Sequence, residues 1–304
     1  MKILVTGSNG LLGQKLVLKL AENKDVDLVA TARGENRLSY TEGYTYASLD
    51  ITNRDEAMDV ITQHKPDVVI NTAAMTNVDA CEKDQEGCDD LNVKAVEYLI
   101  EACNQAEAHL LHLSTDFIFD GADGPYSEEA VPNPLSYYGR SKLTSEKLVE
   151  EHAKSWAIAR TVLVYGVADK MSRSNIVLWA KGALEKGSPI SVVNDQWRTP
   201  TLAEDLADGC IAIALKKAVG YYNLSGDDFM CIDELVKRVA AFWKLDDSIM
   251  STVSSETLNQ PAKRPPRTGF ILDKAKMDLG YKPHTFEEGL AVVDEQLKKY
   301  QEIS

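Results

Sequence analysis

A phenol and an ammonium stand one helical turn apart in the stretch SYYGRSKLTSE, residues 136–146. A helix turns once in 3.6 residues, so positions four apart share a face, about 6 Å apart along the axis. Tyr138 and Lys142 meet that spacing, whereas Tyr137 is five residues from Lys142 and roughly 140° around the helix. A free phenol, with a pKa of about 10, keeps its proton at pH 7. A fixed cation nearby favours the phenolate. Tyr138 is therefore expected to act as general acid in carbonyl reduction and as base in the reverse, with its pKa lowered by Lys142. Tyr137 is expected to pack or to line the pocket. A second polar group, STD at residues 114–116, closes an apolar run. Thr115, or its neighbour Ser114, can hydrogen-bond a carbonyl and orient the phenol, and Asp116 joins them as a candidate substrate contact.

A glycine-rich turn is the third constellation. In TGSNGLLG, Gly7, Gly10 and Gly13 follow an apolar run and open an amphipathic one. The first glycine permits a tight turn, the second a close approach of backbone to a pyrophosphate, and the third close packing of helix on strand. The helix N-terminus attracts the phosphate charge. Asn9, Leu11 and Leu12 share this cofactor-binding loop. An acidic residue at the end of the second strand would bind the ribose of NAD. VATARGENR has none there and offers Arg33 instead, with Thr31 and Arg37 nearby. A guanidinium suits a 2′-phosphate, which points to NADPH, with NADH possible. Asp50 and Ile51 are placed to flank an adenine, and the small Ala73 and Ala74 to pass along a dinucleotide. Tyr138 and Lys142 reach the same cofactor, Lys142 through the nicotinamide ribose.

The elements that must position these groups alternate from the first residue. KILVTG, VDLVATAR, DVVINTAA, HLLHLSTD and WAIARTVLVYG read as strands. QKLVLKLAEN, RDEAMDVITQH and VKAVEYLIEACNQ between them place apolar residues at i, i+3 and i+4. Near-continuous apolar strands with helical crossovers predict an α/β fold, a Rossmann-type doubly wound parallel sheet. Ligands of such sheets bind beyond the carboxyl ends of the strands. After about residue 166 helical segments dominate, broken by the strand candidates SPISVV and GYYNLS and by the loop NQPAKRPPRTG. The expected division is a NAD(P)-binding domain at 1–165 and a smaller, mainly helical substrate-binding region at 166–304, partly interleaved with it.

Composition narrows the setting. The 304 residues are 44% hydrophobic and 26% charged, with 47 acidic against 33 basic side chains and a formal charge of −14. Such a surface repels nucleic acid and anionic membranes. No apolar run approaches the ~20 residues that span a bilayer, and MKILVTG is too short an apolar start for a signal peptide. Five cysteines without a CxxC pair predict reduced thiols and a cytoplasmic protein. The five histidines show no ligand spacing, so His109 and His112 are expected to pack in a strand, and no metal is expected. Against this acidity Lys263, Arg264 and Arg267 cluster in one loop, and Arg198 sits in DQWRTPT. Guanidinium groups near the sheet edge are candidates for the diphosphate of a nucleotide-linked substrate.

STDFIFDG, PYSEEAVPNPLSYYGRSKLTSE, RTVLVYG and NDQWRTPTLAEDLA resemble the dTDP-4-dehydrorhamnose reductase family of extended short-chain dehydrogenases. The likeness runs from TGSNGLLG to RPPRTGFILDKAKMDLGY, nearly the whole chain. It implies that Thr115, Tyr138 and Lys142 form a catalytic triad with NADPH or NADH as cofactor. The implied reaction reduces the C4 ketone of a nucleotide-linked 6-deoxy sugar, the last step to dTDP-L-rhamnose. The resemblance also brings Asn92, in LNVKA, near the site, and a homodimer is common in the group. Leu163 stands where family reductases usually carry a tryptophan that packs on the substrate, so the sugar nucleotide is left open. The RPPRTGF loop departs from the family pattern but keeps a hydroxyl in Thr268. RTVLVYGVADKMSRSNIV is also similar to the regulatory β subunit of methionine adenosyltransferase, which implies an NADP-binding partner protein as the alternative.

Overall fold

A computed structural model describes residues 1–170 and 174–303. Met171, Ser172 and Arg173 of the segment RTVLVYGVADKMSRSNIV lie outside the described residues. The first half runs β1 (Lys2–Thr6), α1 (Leu11–Ala21), β2 (Asp27–Ala32), β3 (Thr45–Ser48), α2 (Arg54–His64), β4 (Val68–Asn71), α3 (Val78–Lys83), α4 (Gln85–Asp89), a π-helical turn (Asp90–Lys94), α5 (Ala95–Ala106), β5 (His109–Thr115), α6 (Tyr137–His152) and β6 (Trp156–Thr161). The second half runs β7 (Val164–Tyr165), α7 (Ile176–Glu185), β8 (Ile190–Val193), β9 (Trp197–Arg198), β10 (Thr201–Leu202), α8 (Ala203–Lys216), β11 (Gly220–Asn223), β12 (Met230–Cys231), α9 (Ile232–Trp243), β13 (Met250–Val253), α10 (Asp273–Leu279) and α11 (Phe286–Ile303).

Seven parallel strands form the main sheet in the order β11–β6–β5–β4–β1–β2–β3. The order reverses between β1 and β4, which is where a doubly wound sheet opens its ligand crevice. One apolar layer, with Leu16, Val17, Leu206 and Ile213, covers one face under α1 and α8. The other, with Ile61, Leu99, Ile100 and Val149, covers the opposite face under α2, α5 and α6. Strands such as Val68–Asn71 are buried throughout, as burial on both faces requires. Helix boundaries follow from local chemistry. Asn53 caps α2 by accepting from the amides of Asp55 and Glu56, and Lys65 ends it in the left-handed conformation.

The C-terminal region has its own core of Tyr165, Val177, Leu184, Leu235, Val239 and Leu290, with three small two-stranded sheets. The division expected at residue 165 follows the sequence more closely than the packing. GYYNLS, read as part of the small region, supplies β11, the edge strand of the main sheet. α8 packs back onto α1. The run WAIARTVLVYG is likewise two strands, because Leu163 between β6 and β7 takes φ +41°. Leu163 is half-buried and touches both cores. The chain turns there from one to the other.

Candidate active site

Thr115 ends β5 and Tyr138 lies in the first turn of α6, close enough for the Thr115 side chain to act on the phenol. Ser136 starts α6 as its N-cap, accepting from the Gly139 amide at 3.1 Å. Gly139 then lets the first turn press against the loop after β5: a Cβ there would lie 2.1 Å from the carbonyl oxygen of Phe117. This close approach brings the phenol to the end of the strand. The Phe117 ring meets that of Tyr138 edge-on, with centroids 5.8 Å apart. Tyr137 turns the other way, donating its hydroxyl to Asp89 at 2.6 Å while its amide donates to Glu82.

Lys142 lies one turn further along α6 and is 2% exposed. Its Nζ is 2.9 Å from Nε2 of His112, on β5. Burial lowers its pKa to about 8, opposed by the charges of Glu146 and Cys88. The depression of the phenol expected from Lys142 is not found. Burial holds Tyr138 above the ordinary value of 10.0, and the neighbouring Thr115 side chain only partly offsets it. His112 is thus more than a packed strand residue. Its Nδ1 lies 3.1 Å from the amide nitrogen of Asn71, and Nε2 is 3.1 Å from the Ser145 hydroxyl. The signal available in the sequence was a histidine inside an apolar run two residues before STD.

Asp116, expected to contact substrate, is buried beneath the site. Thr115 and Thr268 donate to its two oxygens, and the Arg198 guanidinium is 3.7 Å away. Burial raises its pKa despite these partners. It supports Thr115 from below rather than facing the cleft. Ser114 is buried, and its hydroxyl has no partner among the described residues. Asn92 sits in the π-helical turn, a distortion frequent at functional sites. It accepts from the Met75 amide at 2.8 Å and donates to Ser141 at 3.1 Å, tying the end of β4 to α6.

The three arginines expected to take a diphosphate have different fates. Arg198 is buried and donates to the carbonyl oxygens of Trp197 and Pro265 at 2.7 and 2.8 Å, so it braces the loop. Arg264 is held by Asp79 at 2.7 Å. Neither guanidinium is free. Arg267 is exposed and lies over the rings of Trp197 and Phe229, at 5.2 and 5.3 Å from their centroids. Lys263 is exposed in the same loop.

The glycine loop fits a dinucleotide. Gly7 takes φ +66°, and a Cβ on Gly13 would lie 2.3 Å from the Gly7 carbonyl oxygen, so the loop wraps tightly on the start of α1. Gly10 is the N-cap of that 11-residue helix and gives it no side-chain cap. Its first-turn amides and the positive end of its dipole are left for an anion. Beside them the buried Ser8 hydroxyl has no partner among the described residues. Asn9 ties the loop to the segment after β2, donating to the Glu35 carbonyl and accepting from the Arg37 amide, both at 2.8 Å. Leu11 and Leu12 open α1 with their side chains half-buried, and Ala73 and Ala74 are half-buried beyond β4. Arg33 is 83% exposed at the end of β2, 3.8 Å from the Asp50 carboxylate, and Ile51 is buried beside it.

A family model, the RmlD substrate binding domain, matches residues 1–299. The chain belongs to that family. It is 31% identical over 303 residues to dTDP-4-dehydrorhamnose reductase of Aggregatibacter actinomycetemcomitans, covering 95% of this chain and 97% of that one. It is 29% identical over 261 residues to methionine adenosyltransferase 2 subunit beta of Xenopus tropicalis, covering 84% and 76%. The crystal structure of dTDP-4-dehydrorhamnose reductase from Bacillus anthracis in complex with NADP superposes with a TM-score of 0.84 at 26% identity, over 97% of this chain and 99% of that one. RmlD family membership accords with the seven-stranded Rossmann sheet and with the three constellations at its carboxyl edge. No helix among the described residues is long and apolar enough to cross a membrane.

Proposed function

We propose that the protein is a cytoplasmic, NADPH-dependent reductase of the C4 ketone of a nucleotide-linked 6-deoxy sugar, of the dTDP-4-dehydrorhamnose type. The observation that carries this reading is the meeting of Thr115, at the end of β5, with the buried Tyr138 of α6 at the sheet's carboxyl edge, two strands from the glycine loop. Thr115 orients the substrate carbonyl, and Tyr138 gives its phenolic proton to the carbonyl oxygen. Lys142 then returns a proton to the phenolate and holds the nicotinamide ribose. Bound NADPH supplies the hydride to the carbonyl carbon. Reduction needs the acid form of the phenol, and that form is populated at neutral pH.

The glycine loop, Asn9, Leu11 and Leu12 would hold the pyrophosphate, with Asp50, Ile51, Ala73 and Ala74 along the adenosine. Arg33 favours the 2′-phosphate of NADPH over NADH. Arg267 is the guanidinium best available for the substrate diphosphate. The five cysteines are all free, in keeping with a reducing compartment. The test is NADPH oxidation, followed by absorbance, with dTDP-4-dehydro-L-rhamnose added to purified protein. Steady turnover supports the reading, and none, with NADPH still bound, overturns it for this sugar.

A second reading, an NADP-binding partner protein, is favoured by the similarity to methionine adenosyltransferase 2 subunit beta and by Leu163 in place of the substrate-packing tryptophan. NADPH-dependent capture of a methionine adenosyltransferase catalytic subunit, without ketone reduction, is the outcome that would select it.

A further inference from the structure

Lys142 has a buried hydrogen-bond partner that nothing in the proposed chemistry employs. Its Nζ meets Nε2 of His112 at 2.9 Å. Behind the ring, the Asn71 amide nitrogen lies 3.1 Å from Nδ1, and the Thr6 hydroxyl donates to the Asn71 oxygen at 2.6 Å. All four side chains are buried. With the Asn71 amide donating, Nδ1 is an acceptor, and a neutral imidazole then carries its proton on Nε2. An Nε2–H pointing at Nζ needs a lone pair there, which only the neutral amine of Lys142 has; the Ser145 hydroxyl, 3.1 Å from Nε2 and itself donating to the Lys142 carbonyl oxygen, is a second acceptor for the same proton. Turning the Asn71 amide over reverses the chain: its oxygen accepts from Nδ1–H, its nitrogen donates to Thr6, and bare Nε2 accepts from the Lys142 ammonium. Both polarities keep the Thr6–Asn71, Asn71–His112 and His112–Lys142 bonds.

We infer that His112 is a positioning residue for the reduction: by switching tautomer while staying neutral, it holds Lys142 in one place in both of its charge states and sets the pH range in which Lys142 can hand a proton to Tyr138. This rests on the proposed reductase reading. Over one turnover the phenol gives its proton to the carbonyl oxygen and the ammonium of Lys142 replaces it. Lys142 is left as an amine that accepts from Nε2–H until solvent restores its proton. The charged and titratable groups facing this pair are few. Glu146, on the same helix, and Cys88, on α4, act on Lys142, and Lys142 alone acts on His112. Asp116, Cys81 and Cys88 act on Tyr138. Glu146 is itself paired with Arg160 at 2.7 Å. His112 is held neutral by burial and by the neighbouring ammonium, which suits an acceptor that must not compete for the charge.

The sign follows. Reduction needs the ammonium, so the rate falls as pH rises through the Lys142 titration, near 8. His112 as acceptor favours the ammonium. His112→Leu removes the acceptor and should move the falling limb to lower pH by about one unit, with kcat at pH 7.5 down roughly threefold and the KM for NADPH unchanged. His112→Gln keeps an acceptor and should restore the limb. A limb that stays in place in His112→Leu, with only a uniform loss of rate, overturns the inference and leaves the reductase reading standing. A Lys142→Met variant that keeps both rate and limb takes Lys142 out of the proton path and overturns the inference with it, whereas no turnover by the wild-type protein overturns the reductase reading itself. A readout free of activity and of folding defects uses the wild-type protein without cofactor. As pH is raised through the Lys142 titration, the ¹⁵N shifts of His112 should exchange, with Nε2 becoming the protonated nitrogen and Nδ1 the bare one. A tautomer that stays constant across that range overturns the inference.

Discussion

The Asp79 carboxylate takes both terminal nitrogens of Arg264, at 2.7 and 3.2 Å, across 185 residues of sequence. It also accepts from the Ala262 amide at 3.1 Å. A helix at the carboxyl edge of the main sheet is thereby clamped to the loop that carries Arg267 and Thr268.

Arg264→Ala should therefore behave as a stability variant. A bidentate, partly buried pair is worth about 1 kcal/mol, a fall of roughly 1–2 °C in Tm at this size. Arg264 holds the Asp79 carboxyl below its ordinary 3.8. Its contribution is thus complete above that value and is lost as pH falls through the depressed one. The gap between wild type and variant should close in acid thermal melts. Arg267→Ala should do the opposite, leaving Tm alone and raising the substrate KM, as read from initial rates.

Tyr138→Phe keeps the ring contact with Phe117 and removes the proton. Turnover should drop by a factor of roughly 10²–10⁴, while NADPH affinity, measured by nucleotide fluorescence, stays within about twofold. Activity close to wild type would mean that another group supplies the proton.

Gly139→Ala tests how Tyr138 is delivered. The added Cβ meets a backbone oxygen, so the first turn of α6 must move away from the end of β5. The expected cost is about 1–3 kcal/mol in urea unfolding. The expected kinetic signature is a lower kcat, because Tyr138 is carried away from Thr115. A variant as stable and active as wild type would show that the turn has room to relax.

Arg33→Ala should raise the KM for NADPH about tenfold, the loss of one exposed charge-assisted contact, and leave that for NADH nearly unchanged. Because Asp50 lies 3.8 Å from the guanidinium, the variant also leaves a carboxylate free beside the ribose. Better use of NADH is the corollary, read from the same assay. Equal effects on both cofactors would remove Arg33 from the 2′-phosphate.

What could be read from the sequence followed from local rules. RDEAMDVITQH is α2 from end to end, because its cap and its periodicity are written in adjacent residues. Tyr138 could be separated from Tyr137 by helix geometry alone, and Thr115 joined to it by the rule that ligands sit where parallel strands stop. Strand TYAS gave no signal: it is four residues, none of them fully buried. GYYN could not be assigned to the main sheet, since nothing in four residues names a partner strand. The neighbours of the site's charges were equally hidden. Asp79 for Arg264, His112 for Lys142 and Asp116 for Arg198 are each set by tertiary packing. The burial that raises the phenol's pKa was hidden for the same reason.

The placement of β11 has a consequence for biosynthesis. Residues 162–219 must be made after β6 before the strand Gly220–Asn223 begins, so β6 emerges as an unpaired border of the sheet. Such borders recruit other chains when they stay open, and N-terminal segments fold first during synthesis. A nascent or truncated product ending near residue 165 would carry the nucleotide loop, Thr115, Tyr138 and Lys142, yet expose a bare edge flanked by apolar surface. Holding that intermediate soluble is work for a chaperone, and a gene fragment cut at the apparent domain border should yield aggregates rather than a small cofactor-binding protein.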